Sequence, residues 1–264
     1  MNEQQRIDHP SMEYYRETYK NSPRWNGKTN LKNKTVILYG EQGRGDQIQM
    51  LRYVFPLVEK GCNLILCCDS DLHQLFKKSL PRVKFLEKAD PKLPPHDFHI
   101  LSLSLPFLLG EDKYHTCPYL FADPMELDKG LKIGICWEGS PNHPTNNTRS
   151  CPLKFFSALQ SMGTLFSLQK HNHTPQLLEE AEDLELYGVP LNDFMDTAEL
   201  IQAMDLVVTV DTSIVHLAGA LNKKTHLLLT SATDGRFESV CWYPSVEIHR
   251  FSNSWSEVFK EIEI

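Results

Sequence analysis

The sequence predicts an α/β protein made of two parallel-sheet units, and three observations predict it. Short apolar runs alternate with stretches of helical periodicity, the alternation occurs twice, and "YLFADPMELDKG" at 119–130 separates the two series with Pro, Asp and Gly. Alternating strands and helices imply a parallel sheet with helices on both faces. The expected organisation is an irregular lead-in over 1–33, a first unit over 34–125, a second over 126–250 and a terminal helix over 251–264.

The lead-in is polar, and "SPRWNGKTNLKNK" carries no period. "TVILY" is a short apolar run suited to a strand buried on both faces. "DQIQMLRYVFPLVEKG" places Ile48, Leu51, Val54 and Val58 on one helical face, with Gly61 ending it. "NLILCC", "DLHQLFKKSL" and "VKFL" read as strand, helix, strand, and "FHILSLSLPFLL" as a strand entering a short helix. After the linker, "LKIGICW", "TLFSLQ", "LVVTV" and "THLLL" are the strand candidates. "PLKFFSALQSM", "TPQLLEEAEDL", "DTAELIQAM" and "SIVHLAGAL" are the helical ones. The closing "SWSEVFKEIEI" is a helix whose packing partner the sequence leaves open.

Composition narrows the function classes. A formal charge of −7 argues against a broad nucleic-acid surface, so cations for an anionic ligand must be gathered locally. No apolar run has the ~20 residues of a membrane helix, and the amino terminus lacks a signal peptide's apolar core. The expected location is the cytoplasm. Seven cysteines without C-x-x-C spacing read as reduced, mostly buried thiols.

The chemistry-bearing residues fall at strand ends. "DLVVTVDTSIVHLAGAL" ends an apolar strand at Asp211, Thr212 and Ser213, and His216 follows one turn into a small-residue helix. A helix amino terminus offers unpaired N–H groups and partial positive charge to an anion. The same residues also make an ordinary N-cap with a satisfied histidine. After "GICW" the loop holds Trp137, Gly139 and Arg149, the last a forked permanent cation suited to phosphate. Gln169 and Lys170 end "SLQK". In the first unit, "YGEQGRGDQIQ" brings Gln42, Gly43 and Gly45 to Asp46 at a helix start. As a cap Asp46 would contribute ~1 kcal/mol; as a base it would accept a proton. Asp69 at the end of the next strand would suit a ribose, which keeps an NAD-dependent oxidoreductase among the compatible activities. Asp69-Ser70-Asp71 matches a D-x-D metal pattern but stands where capping residues are common. "HNHT" at 171–174 and His96/His99 lack metal spacing and read as solvated loops.

Together, "PRWNGKTNLKNKTVILYGEQGRGDQIQMLRYV", "GICWEGSPNHPTNNTRSCPL", "SLQK", "DFMDTAELIQAMDLVVTVDTSIVHLAGAL" and "CWYP" resemble glycosyltransferase family 9, the heptosyltransferase-like enzymes. The likeness is strongest to the branch whose catalytic domain often follows tetratricopeptide repeats, which are not seen ahead of this stretch. The resemblance implies the GT-B architecture, two Rossmann-like domains facing across a cleft, with the donor in the carboxyl-terminal one. It implies inverting, metal-independent transfer with Asp46 as general base. Arg149, Lys170, Thr212, Ser213 and His216 would hold the donor phosphates, with Trp137, Gly139, Gln169 and Asp211 around the nucleotide and sugar. Gln42, Gly43 and Gly45 would form an acceptor-side loop. The donor would be a nucleotide-sugar such as ADP-heptose, serving as co-substrate with no cofactor or metal. The acceptor would be a glycan (lipopolysaccharide core) or a protein, and peripheral membrane association is compatible with either. One departure concerns "TSATDGRFESVCWYP", where Gly235 replaces a tryptophan of the branch's "PDWRW" segment. The same residues are also compatible with a catalytically silent nucleotide-sugar binder, or with an epimerase of this architecture.

Overall fold

The apolar run at Thr35 forms β1 (Thr35–Tyr39), flanked by β2 (Asn63–Cys68) and β4 (Phe98–Leu101), with β3 (Lys84–Glu87) outside β2. Every pairing is parallel, with Val36 opposite Leu64 on one side and Phe98 on the other. This computed structural model describes residues 3–88, 90, 92–109, 117–170, 184–230, 237, 242–251 and 254–262. The chain divides into two units, Met1–Tyr114 and His115–Ile264. The second holds β5 (Lys132–Cys136), β6 (Thr164–Ser167), β7 (Leu186–Tyr187), β8 (Leu206–Val210), β9 (Thr225–Leu229) and β10 (Val246–Arg250). Its order is β10-β9-β8-β5-β6-β7, again all parallel. The expected α/β class with two parallel sheets is what forms.

In both sheets the chain steps outward from its first strand and then returns to that strand's other side. The reversals lie between β1 and β4 and between β5 and β8. Ligands of open α/β sheets bind outside the carboxyl ends of the strands at such a reversal, so a site is expected at one or both places. The strands beside them are buried on both faces, which explains why β1, β5 and β8 read as unbroken apolar runs.

The lead-in is not irregular. It forms α1 (Glu3–Asp8) and α2 (Glu13–Tyr19), and Ile7, Met12, Tyr15 and Tyr19 join Ile37, Tyr39 and Leu101 in one apolar cluster. Tyrosines carry the buried face here, and a polar-looking sequence hides them because each ring joins a polar hydroxyl to an apolar body; the hydroxyl of Tyr15 is buried as well, on His99 Nε2 at 2.8 Å. Pro23 and Trp25 also bond the backbone of His99, extending the sheet beside β4. His99 is therefore a buried strand residue rather than a loop residue.

The boundary between units also precedes the one expected at 125/126. Tyr119 and Leu120 donate backbone N–H groups to Ala220 O, and Met125 donates to Glu199 O, so the segment over 119–130 belongs to the second unit. The long first helix is interrupted: α3 (Arg44–Met50) passes through a 3-10 turn at Leu51–Tyr53 into α4 (Val54–Glu59). Pro56 has no N–H for the carbonyl of Arg52, which accounts for the tightened turn there. Gly61, at φ +76°, closes the stretch as expected.

"PLKFFSALQSM" forms a 3-10 helix over Leu153–Ser161, burying Leu153, Phe156 and Leu159. That three-residue spacing is the 3-10 period. α5 (His73–Ser79), α6 (Leu105–Leu109), α7 (Asn146–Arg149), α8 (Phe194–Ala203) and α9 (Ser213–Ala220) complete the helices up to β9. Strands β7 and β10 are additions to the expected set: the first is two residues long, and the second is an exposed-patterned edge. The terminal α10 (Trp255–Val258) and its 3-10 continuation pack into the second unit, with Phe259 against Phe156 at 5.0 Å between ring centroids. The helix expected over most of 174–184, "HNHT", Gly235 and Cys241 lie outside the described residues.

Candidate functional site

At the β5/β8 reversal, three adjacent strand ends carry the expected residues. β5 lies between β6 and β8, so the loops after Cys136, Ser167 and Val210 share one edge. Cys136 joins them: its Sγ–H donates to Gln169 Oε1 at 2.7 Å and lies 3.6 Å from Thr212 Oγ1. Burial pushes this thiol up to about 11, so it stays a neutral donor. In the sequence Cys136 looks like any other buried thiol. Its position in the middle strand of the site is the signal available.

The loop after β5 holds Arg149 against the backbone. A Cβ built on Gly139 would stand 2.1 Å from Arg149 Nη2, so the guanidinium occupies the space a side chain would need. Asn146 fixes the loop, its buried Oδ1 accepting from Gly139 N–H at 2.9 Å. Thr230, just past β9, donates to Thr148 O at 2.7 Å and draws the loop across the sheet edge. Arg149 Nε is buried and has no hydrogen-bond partner among the described residues, and the same holds for Nε1 of fully buried Trp137. A buried donor left unmade typically costs ~1–3 kcal/mol, which an acceptor entering the site would recover. Trp137 lies in the apolar core beneath the strand ends, so of the two donors Arg149 Nε, on the loop itself, is the candidate for an anion.

The helix start at α9 is partly the ordinary cap. Thr212 Oγ1 accepts from Ile214 N–H at 3.2 Å, with Ser213 as the first helical residue and Asp211 half-buried before it. His216 is buried, its Nδ1 2.9 Å from Tyr243 Oη and its ring stacked on Phe237 at 5.7 Å. Tyr243 in turn packs flat on Gly219, where a Cβ would meet the ring at 2.3 Å. The histidine thus anchors an aromatic cluster beneath the helix start. Lys170 follows buried Gln169 and is itself exposed.

In the first unit the glycine loop is tightly held. Asp46 Oδ2 accepts from Gly43 N–H at 3.1 Å, the capping arrangement, in the first turn of α3 where Gly45 also lies. Gln42 adopts φ +54°, a left-handed conformation costly for a non-glycine residue. Its carbonyl accepts from Lys88 Nζ at 3.1 Å and Gln47 Nε2 at 3.4 Å. Gln47 also donates to Asp69 Oδ2 and accepts from Asp69 N–H. Asp69 therefore staples the loop instead of presenting a carboxylate to a ribose, and Asp71 is paired with Arg44 at 3.3 Å. Both acids of the D-x-D stretch have structural partners.

The reversal between β1 and β4 is filled from within. Glu41, 1% exposed, follows β1 and receives Arg6 Nε at 3.0 Å, while its Oε2 accepts from Leu103 N–H at 2.9 Å. Ser102 Oγ accepts from Glu41 N–H, and Arg6 also donates to Ser104 Oγ at 2.8 Å.

Residues 164–261 match the sequence model of glycosyltransferase family 9 (heptosyltransferase). The chain is 25% identical to protein FlbA of Caulobacter vibrioides over 84% of its own length and 44% of that protein's, so it spans less than half of this relative. Among solved structures it is similar to the iron-containing dodecameric glycosyltransferase TibC of enterotoxigenic E. coli, with a TM-score of 0.60 at 13% identity. That match covers 86% of this chain and 65% of TibC. It is also similar to E. coli ADP-heptose lipopolysaccharide heptosyltransferase II, with a TM-score of 0.58 at 12% identity, over 86% and 94% of the two chains. E. coli heptosyltransferase WaaC, solved with ADP-2-deoxy-2-fluoro heptose, gives a TM-score of 0.59 at 13% identity over 85% and 96%. At these identities the likeness establishes the fold, two parallel-sheet units of the GT-B kind. Among the described residues, no helix is long and apolar enough to cross a membrane.

Proposed function

We propose that this chain is a glycosyltransferase that moves a sugar from a nucleotide-diphospho-sugar of the ADP-heptose kind to a hydroxyl of a glycan or protein, with inversion and without a catalytic metal. The carrying observation is the Arg149 guanidinium laid on Gly139, its Nε buried and unpartnered among the described residues at the β5/β8 reversal. The family match over 164–261 and the heptosyltransferase folds support the same reading. We assign the chain to the branch usually joined to tetratricopeptide repeats, acting in the cytoplasm, with membrane association no more than peripheral.

In the proposed reaction, Asp46 removes the acceptor hydroxyl proton as that oxygen attacks the anomeric carbon. The C–O bond to the nucleotide breaks, and the departing diphosphate is held by Arg149, Lys170 and the α9 start at Thr212 and Ser213. Gln42, Gly43 and Gly45 shape the acceptor side. Trp137, Gly139, Gln169 and Asp211 surround the nucleotide and sugar, and His216 supports the helix start from below. General-base assistance is typically worth ~10²–10⁴ in rate, and one well-placed charge-stabilising donor ~10²–10³.

The test is calorimetric titration of ADP and ADP-heptose into Asp46→Asn and Arg149→Ala, beside a transfer assay. Asp46→Asn is expected to lose turnover and keep the nucleotide, and Arg149→Ala to lose affinity. The reverse pattern overturns the scheme. A donor-binding protein without transfer is the second reading, favoured by the capping bond from Gly43 N–H to Asp46. Any measurable transfer excludes it.

A further inference from the structure

We propose that His226, Glu247 and His249 bind one divalent transition ion, with zinc as the fitting occupant and Glu261 orienting His249. Strand pairing places Glu247 opposite His226 and His249 two residues on, so all three side chains project from the same face of β9 and β10. Their ligating atoms lie within 4.8 Å of one another. The imidazoles are 1% and 4% exposed, with His226 Nδ1 2.7 Å from His249 Nε2. Glu247 reaches His226 Nδ1 at 3.6 Å and His249 Nε2 at 3.8 Å.

Zinc–nitrogen bonds of about 2.0–2.1 Å put two tetrahedral ligands about 3.3 Å apart, so the observed separations bracket a coordination sphere. The rings need open by only about half an ångström to admit the ion. Without it, an N–H···N hydrogen bond joins the two nitrogens. Glu261 Oε2, on the turn after α10, stands 3.5 Å from His249 Nδ1. A carboxylate on the far nitrogen holds N–H there and turns the other lone pair towards the site, the usual support of a metal-bound histidine. Imidazole and carboxylate together suit zinc and its neighbours in the first transition row.

An independent observation comes from the entrance. An open depression at the beginnings of β9 and β10 is lined by His226, Glu247 and Ser245, and Ser245 Oγ is buried without a partner among the described residues. The depression gives solvent access, while the proposed donor site lies at the carboxyl ends of the strands. The ion would therefore pin β9 to the edge strand β10, with Glu261 holding the terminal segment to it only through His249, and take no part in sugar transfer.

The experiment uses the full chain, stripped with chelator, confirmed folded by circular dichroism, and titrated with Co²⁺ and then Zn²⁺. One equivalent of Co²⁺ should bind with visible d–d absorption and no thiolate charge-transfer band, be displaced by Zn²⁺, and raise the melting temperature. Glu247→Gln, at a 65%-exposed side chain, should weaken binding at least tenfold without unfolding the chain. Glu261→Gln should weaken it by about 10–100-fold. Absence of saturable uptake at micromolar Co²⁺ overturns the proposal. So does a charge-transfer band, which would assign the ion to cysteines, or unchanged affinity in Glu247→Gln.

Discussion

The two chain reversals share a topology and differ in what fills them. Between β1 and β4, the Glu41 carboxylate is matched by Arg6 and the Leu103 amide, its own N–H by Ser102, and Arg6 is held further by Ser104. Between β5 and β8, Arg149 and Trp137 keep buried donors without partners among the described residues. A charge satisfied by its own fold adds to stability and has little left for a ligand. A donor that the fold leaves unmatched costs stability until something binds. The same place in two like sheets thus becomes a structural plug in one unit and a candidate anion site in the other.

The largest expected effect is on the plug. Arg6→Ala leaves the Glu41 carboxylate buried without its cation and should lower unfolding free energy by about 3–5 kcal/mol in urea titration. Nucleotide affinity of the remaining folded protein should stay unchanged; a parallel loss of binding would erase the distinction between the two reversals.

The next effect concerns pH and again belongs to the first unit. Burial chiefly, with Arg24 and His96 nearby, depresses His99 to about 4, below the ~6.5 of an exposed histidine. Tyr15 O–H donates to its Nε2, and its Nδ1–H points to Ser22 Oγ, each at 2.8 Å. Because the unfolded chain takes the proton first, this contribution is complete above about pH 6.5 and is lost as pH falls towards 4. Its size should be about 3 kcal/mol. NMR titration should show His99 neutral at pH 5, and a charged His99 at that pH contradicts the buried relay.

A smaller effect should appear in the second unit. Gly139→Ala pushes the flexible end of Arg149 away from a position 2.1 Å from the new Cβ. ADP affinity should fall about tenfold, roughly 1.4 kcal/mol, with little change in melting temperature. Unchanged affinity would mean that the guanidinium's placement on Gly139 is irrelevant to the anion. The smallest effect is at the D-x-D stretch. Asp71→Asn breaks a partly exposed pair with Arg44 and should cost about 0–1 kcal/mol, leaving transfer intact after chelation. A lost activity there would reinstate these acids as metal ligands.

Much of this is legible from residue order because burial and backbone geometry act locally. Apolar runs at Thr35, Lys132, Leu206 and Thr225 had to be strands covered on both faces, and Thr212 and Asp46 stand at the helix starts their types favour. Tyr15 and Tyr19 escape such a reading because amphipathic rings disguise a buried face in polar company. Other relations have no local sign. Arg6 finds Glu41 across 35 residues, Cys136 reaches Gln169 across 33 and Thr212 across 76, and the terminal helix closes on Phe156. Periodicity reports which face of a segment avoids water. Which distant group meets that face, and whether a buried charge finds its partner, is decided only when the sheets stack their strands out of chain order.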